Sequence, residues 1–165
     1  MARPDWQPLR AASRALRRAA VAGACALLAA CAAGPAHPGL PEGAPVRLGA
    51  DLAEVRQALG DAAQPERGAG PGGELTLALD ARGIWVQFDR ADRVRTLRLR
   101  APWAAPVLGV RIGDTPAQLL ARLGQPALRT SAGTQTGYTY HPDEITILTY
   151  MMGTDQKVEE IFVVR

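Results

Sequence analysis

"VRLGADLAEVRQALG", residues 46–60, and "VRIGDTPAQLLARLG", residues 110–124, line up without a gap at an offset of 64. Val46 matches Val110, Gly49 matches Gly113, Leu59 matches Leu123 and Gly60 matches Gly124. Farther along, "DRVRTLRL" at 92–99 matches "QKVEEIFV" at 156–163 at the same offset. Two separated segments sharing one offset point to an internal duplication. Each copy opens a helix in the same way. Asp51 followed by Glu54, and Thr115 followed by Gln118, are capping boxes, in which cap and third residue satisfy each other's backbone N–H. Pro116 stands where a missing N–H costs nothing. Leu52, Val55 and Leu59 form one apolar stripe and Leu119, Leu120 and Leu123 the other. Gly60 and Gly124 end the helices. Two turns of helix do not persist alone, so each must pack on something.

Strands supply that support. "ELTLALD" at 74–80 alternates, with Leu75, Leu77 and Leu79 on one face. "ARG" at 81–83 turns the chain into "IWVQF" at 84–88, where Ile84, Val86 and Phe88 point inward and Trp85 outward. Asp89–Arg93 turns again, and "VRTLRLR" closes the unit. In the second copy the strands read "YTYH", "EITILTY" and "VEEIFVV", with a turn at Met151–Lys157 expected to be three residues longer than its counterpart. The expected fold is α+β: two tandem α–β–β–β units, each a short helix packed on a three-stranded antiparallel sheet. Repeat 1 spans 46–100, a linker 101–109 and repeat 2 110–165, with Trp103 plugging the joint. One such unit of about 55 residues has a marginal core, so two should pack together.

Upstream of the repeats lies an address. The first eighteen residues hold Arg3, Arg10, Arg14, Arg17 and Arg18 against Asp5, and a small, apolar run, Ala19–Ala30, follows. That is a signal peptide, residues 1–30, because the run falls short of the about 20 apolar residues a membrane span needs. Leu28-Ala29-Ala30-Cys31 resembles the bacterial lipobox, which implies lipid attachment at Cys31 (palmitate included) and cleavage before it. The competing reading is ordinary cleavage after Ala-x-Ala with Cys31 incidental; Cys25, with Ala22 three residues before it, fits the lipobox less well. Ala32 rather than Asp follows Cys31, so the expected location is the periplasmic face of the outer membrane. Residues 31–45 continue as a Pro/Gly-rich tether able to reach about 40 Å; His37 within it has no neighbour of matching chemistry.

Processing changes the charge argument. The whole chain has 19 Lys and Arg against 16 Asp and Glu, and loss of residues 1–30 removes five Arg and one Asp, leaving 14 against 15. The basicity therefore belongs to the signal peptide and does not argue for nucleic acid. With Cys25 removed and Cys31 lipidated, no disulfide or thiolate metal site remains.

The second copy resembles a known family. Ile112-Gly113-Asp114-Thr115, Ala117-Gln118-Leu119, Leu123-Gly124-Gln125-Pro126 and Gly137-Tyr138-Thr139-Tyr140 are similar to the SmpA/OmlA (BamE-like) outer-membrane lipoproteins, which also carry a lipobox cysteine. The tandem arrangement is similar to the β-lactamase-inhibitor-protein fold. In the first copy Asp61-Ala62 stands in place of Gln-Pro, and Leu75 and Leu77 in place of the two aromatics. The resemblance implies a non-enzymatic, membrane-anchored protein that binds envelope proteins, including β-barrel-assembly components. The alternative is a tethered inhibitor-like or ligand-binding module.

No convergent reactive set is visible, so no catalytic residue, cofactor or metal site is assigned. "GAGPGG", 68–73, satisfies G-x-G-x-x-G in letters but precedes a strand, and so reads as a loop. Asp143-Glu144 beside His141-Pro142 reads as a solvated turn. The candidate partner-binding residues are Trp85, Tyr138, Tyr140, Arg98 and Arg100. Arg95, Arg98 and Arg100 are expected along one outward edge, with Glu159, Phe162 and Val164 at the corresponding places in the second copy, which gives one basic face and one partly apolar face.

Overall fold

The computed structural model describes residues 42–60, 64–68 and 73–165. The signal segment, Cys25, Cys31, His37, the tether through residue 41, Asp61-Ala62 and the middle of the glycine loop lie outside the described residues.

Helix α1 (Leu52–Leu59) and helix α2 (Pro116–Leu123) start at closed capping boxes. Asp51 Oδ1 accepts from Glu54 N–H at 3.0 Å while Glu54 Oε2 accepts from Asp51 N–H at 2.9 Å. In α2, Thr115 Oγ1 accepts from Gln118 N–H at 3.4 Å and Gln118 Oε1 accepts from Thr115 N–H at 2.8 Å. These bonds satisfy N–H groups that a helix start otherwise leaves open.

The strands are β1 (Glu66–Arg67), β2 (Leu75–Leu79), β3 (Ile84–Phe88), β4 (Val94–Arg100), β5 (Leu128–Ala132), β6 (Gln135–Tyr140), β7 (Ile147–Met152) and β8 (Val158–Val164). They form one antiparallel sheet in the order β1-β2-β3-β4-β8-β7-β6-β5. This overturns the expected pair of α–β–β–β units with separate three-stranded sheets. The described residues form mostly a single eight-stranded sheet carrying two short helices. The physical reason is the edge. Two small sheets would each leave a last strand with unpaired N–H and C=O groups, whereas here β4 and β8 pair from Thr96↔Val164 to Arg100↔Glu160. Strands β1 and β5 escape notice in the sequence because every residue in both is exposed, so neither carries an apolar alternation.

Cross-strand rows define the core face. One row runs Tyr138, Tyr150, Ile161, Leu99, Ile84, Leu79, and the next runs Tyr140, Leu148, Val163, Leu97, Val86, Leu77. Val55 and Leu59 of α1 and Leu119 of α2 join the same buried cluster, so both helices lie on this face. The register also makes Leu77 and Leu79, not Leu75 and Leu77, the counterparts of Tyr138 and Tyr140. Gly83 turns β2 into β3 after one 3-10 turn at Asp80–Arg82, with φ 66. A Cβ there would sit 1.9 Å from the Arg100 carbonyl oxygen, so no other residue fits the turn.

Backbone hydrogen bonds repeat at the offset seen in the sequence. Gly49 N–H donates to Val94 O at 2.7 Å and Val94 N–H to Ala50 O at 2.9 Å; Gly113 N–H donates to Val158 O at 2.7 Å and Val158 N–H to Asp114 O at 2.8 Å. Register shifts occur at Gln87/Phe88 and at Met151/Met152. The turns between these paired strands, residues 89–93 and 153–157, have the same length, which corrects the longer turn expected in the second half. Strand β7 begins only at Ile147, because the Asp143 carboxylate accepts from Ile145 N–H, Thr146 N–H and the Thr146 hydroxyl and holds a turn there. The stretch 101–109 contributes to the core: Val107 is fully buried and bridged to Val110, and Trp103 packs partly buried against the cluster.

Candidate docking face

Period-two alternation gives the sheet a second face that neither helix covers. Its central row runs Ala78, Trp85, Arg98, Phe162, Thr149, Thr139, Leu128. A neighbouring row runs Thr76, Gln87, Thr96, Val164, Ile147. Trp85 and Phe162 are half-buried, Leu128 is 55% exposed and Ile147 is 40% exposed. The rings of Trp85 and Phe162 flank Arg98 at directly paired positions, which makes this row the strongest aromatic concentration on the open face.

Arg98 is bound within the protein. Its guanidinium pairs with Glu160 and lies 5.4 Å from the centre of the Phe162 ring, a cation–π arrangement. Its Nε is buried and has no hydrogen-bond partner among the described residues. Arg100 pairs with Asp80 at 2.6 Å. The expectation of one basic face and one apolar face is thereby corrected: pairing of β4 with β8 sets Arg98 opposite Phe162 and Arg100 opposite Glu160, so Arg98, Arg100, Phe162 and Val164 share one face with Arg98 and Arg100 ion-paired, while Glu159 falls at the register shift. Arg95 leaves this group. Val94 and Leu97 both face the core across a register shift, and the extra residue places Arg95 away from Arg98 and Arg100.

Tyr138 and Tyr140 lie on the opposite, helix-covered face, 4% and 9% exposed. Their expected role as exposed aromatic anchors is corrected on that ground. The Tyr140 hydroxyl donates to the carbonyl of Gly124, the residue that ends α2, at 3.0 Å, and its ring meets Tyr150 edge-on, 6.0 Å between centres. Burial, then the neighbouring Tyr138, raises the Tyr140 phenol above its ordinary value. Burial raises Tyr150 further, and its hydroxyl donates to Val107 O at 2.8 Å. Both phenols therefore stay protonated and serve as donors that fix loops to the sheet. Arg129 reaches back over the Tyr138 ring at 5.2 Å.

Trp85, Arg98 and Arg100 are thus brought together, while Tyr138 and Tyr140 are not. Ile147 and Leu128 are additions that parity within β7 and the unread strand β5 would have supplied. The lipid-attachment residue Cys31 falls outside the described residues. Among the described residues no three His, Cys, Asp or Glu gather as metal ligands, and no helix is long and apolar enough to cross a membrane.

No protein-family model and no curated protein matches the chain. Among solved structures it is similar to a DUF4309 family protein (YjgB) from Bacillus subtilis subsp. subtilis str. 168, at 17% identity over 70% of this chain and 78% of that one, with a TM-score of 0.43.

Proposed function

We propose that this chain is a lipid-anchored periplasmic protein of the outer membrane, related to the SmpA/OmlA group, that binds protein partners in envelope or β-barrel assembly. The anchor in this reading is Cys31, which heads the Pro/Gly-rich segment 31–45. The observation that supports the docking part is the row Trp85–Arg98–Phe162 on the face that neither helix covers, where half-buried Trp85 and Phe162 are paired across the strands with Arg98, which is itself bound to Glu160. Aromatic rings beside an ion-paired arginine are the usual character of an interface centre. In this reading the role is non-enzymatic and the face acts through shape and apolar area.

The test is crosslinked capture from bacterial envelopes with the acylated full-length chain. Trp85→Ala and Phe162→Ala should lower recovery of barrel-assembly proteins by about 30-fold if these rings are hot spots, at a stability cost of about 1 kcal/mol or less. Cys31→Ser should abolish acylation and release the protein from the outer-membrane fraction. Unchanged recovery with both ring variants defeats the docking assignment, and unchanged fractionation of the Ser variant defeats the anchor.

A further inference from the structure

Beside the turn between Phe88 and Val94 lies an open cleft of about 1010 Å³. Phe88 and Val94, each 1% exposed, line its base. Four arginines, Arg67, Arg90, Arg95 and Arg165, line it against two carboxylates, Glu74 and Asp89. Both carboxylates are occupied: Asp89 accepts from Ala91 N–H at 2.8 Å and Arg93 N–H at 3.0 Å, and Glu74 accepts from the Gln87 amide. Arg67 is held by Asp92 at 2.9 Å. Arg90, Arg95 and Arg165 are exposed and have no carboxylate partner among the described residues, which is also true of Arg56, Arg82, Arg93, Arg111 and Arg129, but these three line one cleft together. The Arg165 N–H donates to Arg95 O at 3.1 Å, which keeps those two side by side.

The fold does not require these arginines. The second half makes the same turn and the same register shift, with Thr154 at the place of Arg90 and Glu159 at the place of Arg95. Nor do they reflect a generally basic protein, since the chain beyond residue 30 carries 14 basic against 15 acidic side chains. Four guanidiniums face Glu74, Asp89 and the Asp92 partner of Arg67, so positive charge is in slight excess, and a ligand bearing negative charge relieves the repulsion that remains among them. Guanidinium forks match phosphate and carboxylate oxygens with paired N–H donors.

We infer that this cleft binds a small polyanion, a compound carrying two or more phosphate or carboxylate groups. The size favours a small molecule, near the upper end of ligand pockets of about 300–1,000 Å³. Glu74 and Asp89 on the rim disfavour an extended polyanion such as nucleic acid, whose charges would run past the arginines. The cleft lining shares no residue with the two rows of the docking face.

Titration calorimetry on the purified full-length chain tests it, with pyrophosphate and citrate as probes, acetate as the single-charge control, and low and high salt. At least one of the two polyanionic probes should bind and acetate should not; which of the two binds more tightly tells phosphate from carboxylate recognition. Arg90→Thr with Arg95→Glu, the residues the second half already uses, should weaken binding by ~10-fold or more. Arg165→Ala should weaken it separately, and Arg111→Ala, an exposed arginine in the other half, should not. Absence of binding by both probes, or equal loss with Arg111→Ala, overturns the site.

Discussion

Between Phe88 and Val94, and again between Met152 and Val158, the chain makes one and the same turn. Asp89 N–H donates to Arg93 O at 2.8 Å and Gly153 N–H to Lys157 O at 2.9 Å. Asp92 and Gln156, neither a glycine, both take positive φ, 53 and 57. Yet the side chains hung on this common backbone differ. The first half lines its turn with arginines and fills its core with Leu77, Leu79 and Val86; the second has Glu159 at the turn and Tyr138, Tyr140 and Tyr150 in the core. The comparison separates two kinds of requirement. Backbone pairing and helix starts are constrained in both halves alike, whereas side-chain chemistry is free to diverge, and the proposed polyanion cleft lies where it has diverged in charge.

The largest effect tests whether the halves are mechanically one. Leu119, the fully buried residue of α2, corresponds at the offset to Val55 of α1, also fully buried. Leu119→Ala should cost about 2–5 kcal/mol, since it removes apolar contact and leaves a cavity. Val55→Ala removes less volume and should cost less. Because β4 and β8 join the halves through one sheet, either variant should shift a single unfolding transition seen by both tryptophan fluorescence and far-ultraviolet dichroism. Two separated transitions would show that the halves unfold independently and that the continuous sheet contributes little cooperativity.

A smaller effect sharpens the difference in the cores. Tyr150 faces Val107 O through a hydroxyl buried at both ends, while its counterpart in the first half, Val86, has no polar group to satisfy. Tyr150→Phe should cost about 1–3 kcal/mol because it strands a buried carbonyl. Tyr140→Phe should cost about 1 kcal/mol or less, because the Gly124 carbonyl it abandons belongs to an exposed residue and can take water. Denaturant midpoints of the two variants measure this; equal losses would mean that the Val107 loop can relax to hydrate its carbonyl.

The same contrast explains what was legible in the sequence. Both capping boxes and the inward set of β2, β3, β4 and β8 are local patterns, and short-range periodicity reports them. Merging of the sheets rests on β4 finding β8 across more than sixty residues, and no local pattern encodes that choice. Alternation also leaves open which face of a strand is buried. Trp85 is placed correctly because Ile84, Val86 and Phe88 surround it with aliphatic or aromatic core residues. In "GYTYH" nothing local distinguishes a buried tyrosine pair from an exposed one, and the deciding partners, Gly124 and Tyr150, lie elsewhere in the chain. Arg95 was misplaced for a third reason: a single register shift reverses parity along the start of β4.

The finest test uses the one titratable difference between the two helix caps. Glu54 closes the first box with a carboxylate and Gln118 closes the second with an amide, in the same geometry. The Asp51 N–H, then the Arg47 side chain, hold the Glu54 carboxyl below its ordinary value, with Arg47 at 2.8 Å. A folded-state value below the unfolded one means that ionised Glu54 stabilises the protein above the unfolded-state pKa, and that this contribution is lost as pH falls through the lowered value. The change therefore begins below the usual Glu value of about 4.3. Amide exchange should show the first turn of α1 losing protection on acidification while the first turn of α2 keeps it. Glu54→Gln should remove the difference, making α1 as insensitive to acid as α2. The effect is small because Glu54 is fully exposed and water screens it. Parallel loss of protection in both helices, unchanged by Glu54→Gln, would assign the acid response to the whole sheet rather than to this cap.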